Sequence, residues 1–149
     1  MGLLRTIPQA LADGLDATTF TSIVTQPTVA RKNWVQIGVE DMADPVIYVT
    51  PAAATVTRVN RGNSQVDYEA TVFVGRHVQT EAEADVMLDL ADELVEAIKA
   101  HSWPVGVTWP SGVSFWSLTV EFNPDDALND RNVWRAVITA TYRTFSQDT

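Results

Sequence analysis

Residues Trp134–Phe145 read WRAVITATYRTF, and their alternation decides the fold class. Trp134, Ala136, Ile138, Ala140 and Tyr142 recur at period two, with Arg135, Val137, Thr139, Thr141 and Arg143 between them. Successive side chains of a strand point to opposite faces, so the pattern describes a strand with one buried and one partly wet face. Trp134, Ile138 and Tyr142 are expected in a core, packed against a long helix. Arg135 and Arg143 are left on the other face, where a neighbouring subunit could read them. The strand is expected to tie the C-terminal segment into a sheet.

Moving back along the chain, Val113–Phe122 (VSFWSLTVEF) reads as a strand, separated from the last by the acidic loop Asn123–Asn132 (NPDDALNDRN). Ser102–Gly112 (SWPVGVTWPSG) is a loop with two Trp-Pro steps. Before it lies the most regular element. Thr80 followed by Glu83 is a capping box, and Met87, Leu90, Ala91, Leu94, Val95 and Ile98 form an apolar stripe at helical spacing that runs to near Ala100. Glu81, Glu83 and Asp85 at its start and Lys99 and His101 at its end suit the helix dipole.

The first half is less regular. Leu3, Leu4, Ile7, Leu11 and Leu15 predict a short amphipathic helix, with Pro8 in its first turn and Gly14 helping to end it. Val29–Val35 (VARKNWV) is a plausible strand, and Glu40–Pro45 a polar loop or single turn. Val46–Thr50 (VIYVT) is an apolar strand stopped by Pro51, and Thr55–Asn60 either extends it or forms an edge. Arg61-Gly62-Asn63-Ser64 signals a turn. In the strand that follows, Val66, Tyr68, Ala70, Val72 and Val74 face one way, and Asp67, Glu69, Thr71 and Phe73 the other. Strands in groups with two helices give an α+β class: a mainly antiparallel sheet of four to five strands, with one long and one short helix packed on one face.

At 149 residues the chain suits one domain spanning 1–149, large enough to bury roughly 70% of its unfolded surface without a staple. The absence of cysteine excludes a disulfide framework, thiolate metal sites and cysteine nucleophiles. A net charge of −9 argues against a nucleic-acid-binding surface but allows DNA to pass nearby without sticking. No apolar run approaches the ~20 residues of a membrane span.

No constellation reads as catalytic. His77 and His101 flank the long helix at opposite ends, about 35 Å apart at ~1.5 Å per residue, too far to share a site. Asp125, Asp126 and Asp130 resemble an oxygen-rich calcium loop but lack the glycine and terminal glutamate of an EF-hand. The carboxylates of the long helix read as its solvent face, and no phosphate-binding glycine loop or nucleophile elbow is present. Hence no enzyme activity, metal or cofactor is expected, and function is sought in surfaces. Trp116 and Trp134 are expected in the core. Trp103 and Trp109, each before a proline, divide evenly between an interface and local packing. Arg58, Arg61 and Arg76 suggest a small basic patch around the turn at Gly62, suited to an acidic patch on another copy in a head-to-tail contact. With Arg135 and Arg143 these are the candidate interface residues.

The order of segments resembles tailed-bacteriophage and prophage proteins of the tail-terminator, or tail-completion, type. The resemblance runs from the N-terminal helix through VARKNWV and DPVIYVTP, the charged turn and alternating strand RGNSQVDYEATVFVGRH, and the acidic helix TEAEADVMLDLADELVEAIKAH, to WRAVITATYRTF. Its closest matches are Asp67–His101 and Thr139–Arg143. It implies a small α+β subunit of a homo-oligomeric ring, typically six-fold, that ends the tail tube. Partners would be the tail tube protein and a neck or head-completion protein, with no membrane involved and DNA passing the ring unbound. The location would be the virion, after assembly in the host cytoplasm. A head–tail connector of the neck is the alternative, and a small binding module using the Trp-rich loop a further one.

Overall fold

The alternating C-terminal stretch forms a strand, β5 (Val133–Gln147), that lies inside the sheet with a neighbour on each side. The computed structural model describes residues 2–23, 26–33, 44–122 and 133–147. Before β5 come α1 (Leu3–Ala17), β1 (Thr28–Arg31), β2 (Val46–Asn60), β3 (Asn63–His77), α2 (Glu81–Ala100) and β4 (Ser114–Phe122). The expected loops at 40–43 and 123–132, with the carboxylates Asp125, Asp126 and Asp130, lie outside the described residues, as do Trp34 and Val35 of the expected first strand.

The class is α+β, with two helices and a five-stranded sheet among the described residues, in the order β1-β2-β3-β5-β4. The sheet is mixed: β1 runs parallel to β2, and the other neighbours are antiparallel. The alternation of a strand sets which face is buried, not the direction of its partner, and four residues of β1 carry no signal of pairing direction. The β3–β5 ladder is the spine, pairing Asn63 with Gln147 at one end and His77 with Val133 at the other.

One core joins both helices to one face of the sheet. Ile7, Leu11 and Leu15 of α1 and Met87, Leu90, Leu94 and Ile98 of α2 meet Ile47, Val49, Val72, Val74, Ile138 and Tyr142. Each such side chain contributes roughly 1.5–3 kcal/mol on burial. Trp134, Ile138 and Tyr142 sit in this core as expected, and the two faces of β3 divide as expected too. Phe73, Val133, Val46, Tyr48 and Val137 make a smaller cluster on the opposite face.

Local chemistry explains the ends of α2. Thr80 Oγ1 accepts from the Glu83 N–H at 3.2 Å, while the Glu83 carboxylate accepts from the Gln79 N–H at 2.8 Å, so the capping box closes one residue further out than its usual form. At the other end His101 adopts the left-handed conformation (φ 49°) and its N–H returns to the Ala97 carbonyl.

Three expectations about α1 and β2 are corrected. Pro8 lies inside α1, beyond its first turn, and its ring is buried with Ile7. Gly14 does not end the helix, which continues to Ala17. Pro51 does not stop the strand, because β2 runs through it to Asn60. Past Val49 no described strand pairs with the outer edge of β2, and a register shift falls at Pro51/Ala53. An edge position beside a bulge is where a strand tolerates proline.

Candidate functional site

Among the described residues the longest run exposed throughout lies on the β2 side of the outer β2–β3 hairpin, while on the β3 side, between β2 and β5, Ser64 and Val66 are buried. The hairpin register runs Thr55↔Asp67, Val56↔Val66 and Arg58↔Ser64 to a tight turn at Asn60↔Asn63. Asn60 builds the turn: its side-chain oxygen accepts from the Gly62 N–H at 3.1 Å and from Asn63 Nδ2 at 3.0 Å. Arg58 caps it, donating from Nε to the Asn60 carbonyl (3.3 Å) and from Nη2 to the Arg61 carbonyl (3.1 Å). Every residue of β2 from Ala54 to Asn60 is exposed, Val56 and Val59 by 67% and 53%. Phe145, near the end of β5, is exposed as well. The β2 side of this arm is exposed for a physical reason: it outruns α2. The His101 ring, just past α2, lies 5.8 Å from Tyr142, which is opposite Tyr68, itself opposite Ala54. The arm therefore extends past the C-terminal end of α2.

Arg58 and Arg61 sit at the tip of this arm, but Arg76 does not join them. It lies near the far end of β3, opposite Trp134. Thirteen strand steps separate it from Asn63, about 40 Å at ~3.3 Å per residue. The expected three-arginine patch is thus a two-arginine tip, and the arginine at 76 belongs to the other end of the sheet.

Arg143 is engaged within the chain. Its Nε donates to Asp67 Oδ1 at 2.8 Å and its Nη2 to Asp67 Oδ2 at 3.1 Å, a bidentate pair across β3 and β5. With its amide oxygen turned toward Arg143, Gln65 accepts from the same two nitrogens at 3.1 and 3.0 Å. The guanidinium carbon stands 3.6 Å from the centre of the Trp116 ring. The hydrogen bond from Arg143 holds the Asp67 carboxyl below the usual carboxylate range. Trp116, expected in the core, is instead 59% exposed, because the register shift between Phe115 and Ser117 turns it out onto the face with Arg143. Arg135 lies on the same face as Arg143, its guanidinium 4.7 Å from the centre of the Phe73 ring.

Trp103 and Trp109 are held by local packing. They stack with ring centres 6.2 Å apart, and Trp109 meets His101 (4.5 Å) and Tyr142 (4.9 Å). Trp109 Nε1 donates to the Val113 carbonyl at 2.9 Å. Trp103 lies flat on Gly14, where an added Cβ would come within 2.6 Å of its ring. The glycine in α1 is thus required by a tryptophan 89 positions away.

A second tie was missed by sequence reading. Glu93 on α2 grips the segment after α1. Thr21 N–H and Oγ1 donate to Oε1 at 2.8 and 2.6 Å, and Ser22 N–H and Oγ donate to Oε2 at 3.0 and 2.6 Å. Burial alone would raise this carboxyl, but the four hydrogen bonds more than reverse the effect and pull it down from 4.5 to about 2. A depressed carboxylate pKa contributes stability that is complete above the unfolded value and lost as pH falls through the folded one. Glu93→Gln should lower stability at neutral pH by about 1–2 kcal/mol, a value reduced for solvent screening. It should also flatten the loss between about pH 4.5 and 2. Melting temperatures against pH check this, and parallel curves for the two proteins would refute it.

The remaining carboxylates of α2 form a solvent face. Asp85, Asp89, Asp92 and Glu96 are exposed and spaced i, i+4, i+7, i+11, one row along the helix. Exposed Leu88 lies within this row. Asp92 and Glu96 also border, with Thr18, Thr19 and Phe20, a shallow groove between α2 and the segment after α1. Among the described residues no group of three or more His, Asp or Glu side chains is placed to hold a metal, and no helix is long and apolar enough to cross a membrane. No protein-family model matches the chain, and no curated protein matches it significantly.

Proposed function

We propose that this chain is a structural virion protein of a tailed phage. In this reading it is a tail-terminator-like subunit whose longer and shorter helices back one face of the sheet, and whose copies form a ring that caps the tail tube and meets the neck. The observation that supports this best is the β2–β3 arm. It projects past the helices with Val56 and Val59 exposed and an outer edge that no described strand covers, a surface suited to a partner chain. Its arginines and the acidic row of α2 are unlike surfaces on one subunit. Contacts between unlike surfaces are head-to-tail and close into rings when the rotation permits. An acidic subunit beside a DNA conduit would also repel the passing genome.

The packing of Trp103 and Trp109 against Gly14, His101 and Tyr142 gives the binding-module alternative little support. A head–tail connector stays as the second reading, because the same arm would serve a ring at either level of the neck. Electron microscopy of particles assembled without the protein separates the two. Overlong or unjoined tails are the expected result; intact tails beside heads that have lost DNA would favour the connector. Normal, infectious particles would reject both.

A further inference from the structure

We infer that the β2–β3 arm of one copy docks along the acidic row of α2 on the next copy, with the Arg58/Arg61 tip facing Asp85, Asp89, Asp92 and Glu96. The inference rests on the ring reading and names the two surfaces that would build it.

Charge is the first argument. Between Val46 and Val66 the chain has two arginines and no carboxylate, although its net charge is −9. Over α2 it has seven carboxylates against one lysine, and that lysine, Lys99, already lies 3.5 Å from Glu96. The arm is thus a cationic projection from an anionic body, and α2 carries more carboxylates than any other described element. Such complementarity steers encounter and fixes register.

Shape and apolar content agree. From Ala54 to Asn60 the arm covers about 20 Å at ~3.3 Å per strand residue. From Asp85 to Glu96 the row covers about 16 Å at ~1.5 Å per helical residue. Each surface carries exposed apolar groups beside its charges, Val56 and Val59 on the arm and Leu88 on the helix.

The fold keeps the two surfaces apart within one copy. The arm outruns α2 at the level of Tyr142, and α2 packs toward β4 and β5 whereas the arm grows from β2 on the opposite flank of the sheet. Self-pairing in one chain is therefore blocked. A contact between copies then joins opposite flanks, giving each subunit one donor and one acceptor surface.

The test uses the full chain and three variants: Arg58→Glu/Arg61→Glu, Asp89→Arg/Asp92→Arg, and all four changes together. All four side chains are exposed, so circular dichroism should show the wild-type fold, while the melting temperature falls only by the lost Arg58 turn hydrogen bonds and by any loss of assembly. Native mass spectrometry across a concentration series is the readout. The wild type should exceed the 16.4 kDa of one chain. Each double reversal should weaken assembly by about tenfold or more, and the fourfold swap should restore it. Raising salt should weaken the wild-type assembly too. An assembled wild type that both reversals leave intact would overturn this docking while the ring reading stands. A wild type that remains one chain throughout would overturn both.

Discussion

Truncating Tyr142 to alanine should cost about 3–5 kcal/mol and lower the melting temperature by roughly 10 °C or more. Tyr142 has no exposed surface and lies where three parts of the fold converge. Its ring touches His101 at the end of α2, Trp109 in the following loop and Phe115 on β4, with centres 5.8, 4.9 and 6.0 Å away. Removing it leaves a cavity bounded by rigid rings, which relax little, so the cavity term adds to the lost transfer energy. Tyr142→Phe should behave differently. The buried hydroxyl has no hydrogen-bond partner among the described residues, and burial pushes its pKa up. Deleting a buried group that makes no bond removes a desolvation cost, so stability should stay level or rise by up to about 1 kcal/mol. Chemical denaturation of both variants checks the pair. A phenylalanine variant less stable than wild type by more than about 1 kcal/mol would mean that the hydroxyl is bonded.

Gly14→Ala should destabilise the chain by about 1–3 kcal/mol, against the ordinary preference of a helix for alanine over glycine by ~1 kcal/mol. The new Cβ would lie 2.6 and 2.7 Å from two ring carbons of Trp103. That ring cannot slide away cheaply, because Trp109 stacks on it and His101 abuts it. In a Trp103→Leu background the same substitution should become neutral or stabilising, since the clash goes and the helix preference stays. The cycle of four proteins reads the coupling directly, and additive effects would refute the contact.

Periodic elements were legible because their information is local. The apolar stripe of α2 and the alternation of β3 and β5 each repeat within one segment, and their buried faces follow without knowledge of partners. Long-range pairings are the opposite case. Gly14 reads as a helix terminator until Trp103 is placed on it, and Glu93 reads as one more solvent carboxylate until Thr21 and Ser22 are brought to it. For Trp116 a single register shift reverses the facing that the strand's alternation predicts. For the candidate surfaces, Arg58 and Arg61 are legible together because they lie three positions apart, one at the end of β2 and one in the two-residue turn that follows it. Arg76 lies far from them because each residue of an extended strand adds ~3.3 Å. The alternation of β5 puts Arg143 on the second face, but its pairing with Asp67, 76 positions away, needs the β3–β5 register.

Self-association through unlike surfaces is what makes one subunit into a ring. Its most direct test is the mass of the purified full chain by native mass spectrometry over a wide concentration range. The expected result is a discrete closed oligomer at an integer multiple of 16.4 kDa, six copies being the number the family resemblance implies. A single species at 16.4 kDa at every concentration would contradict it.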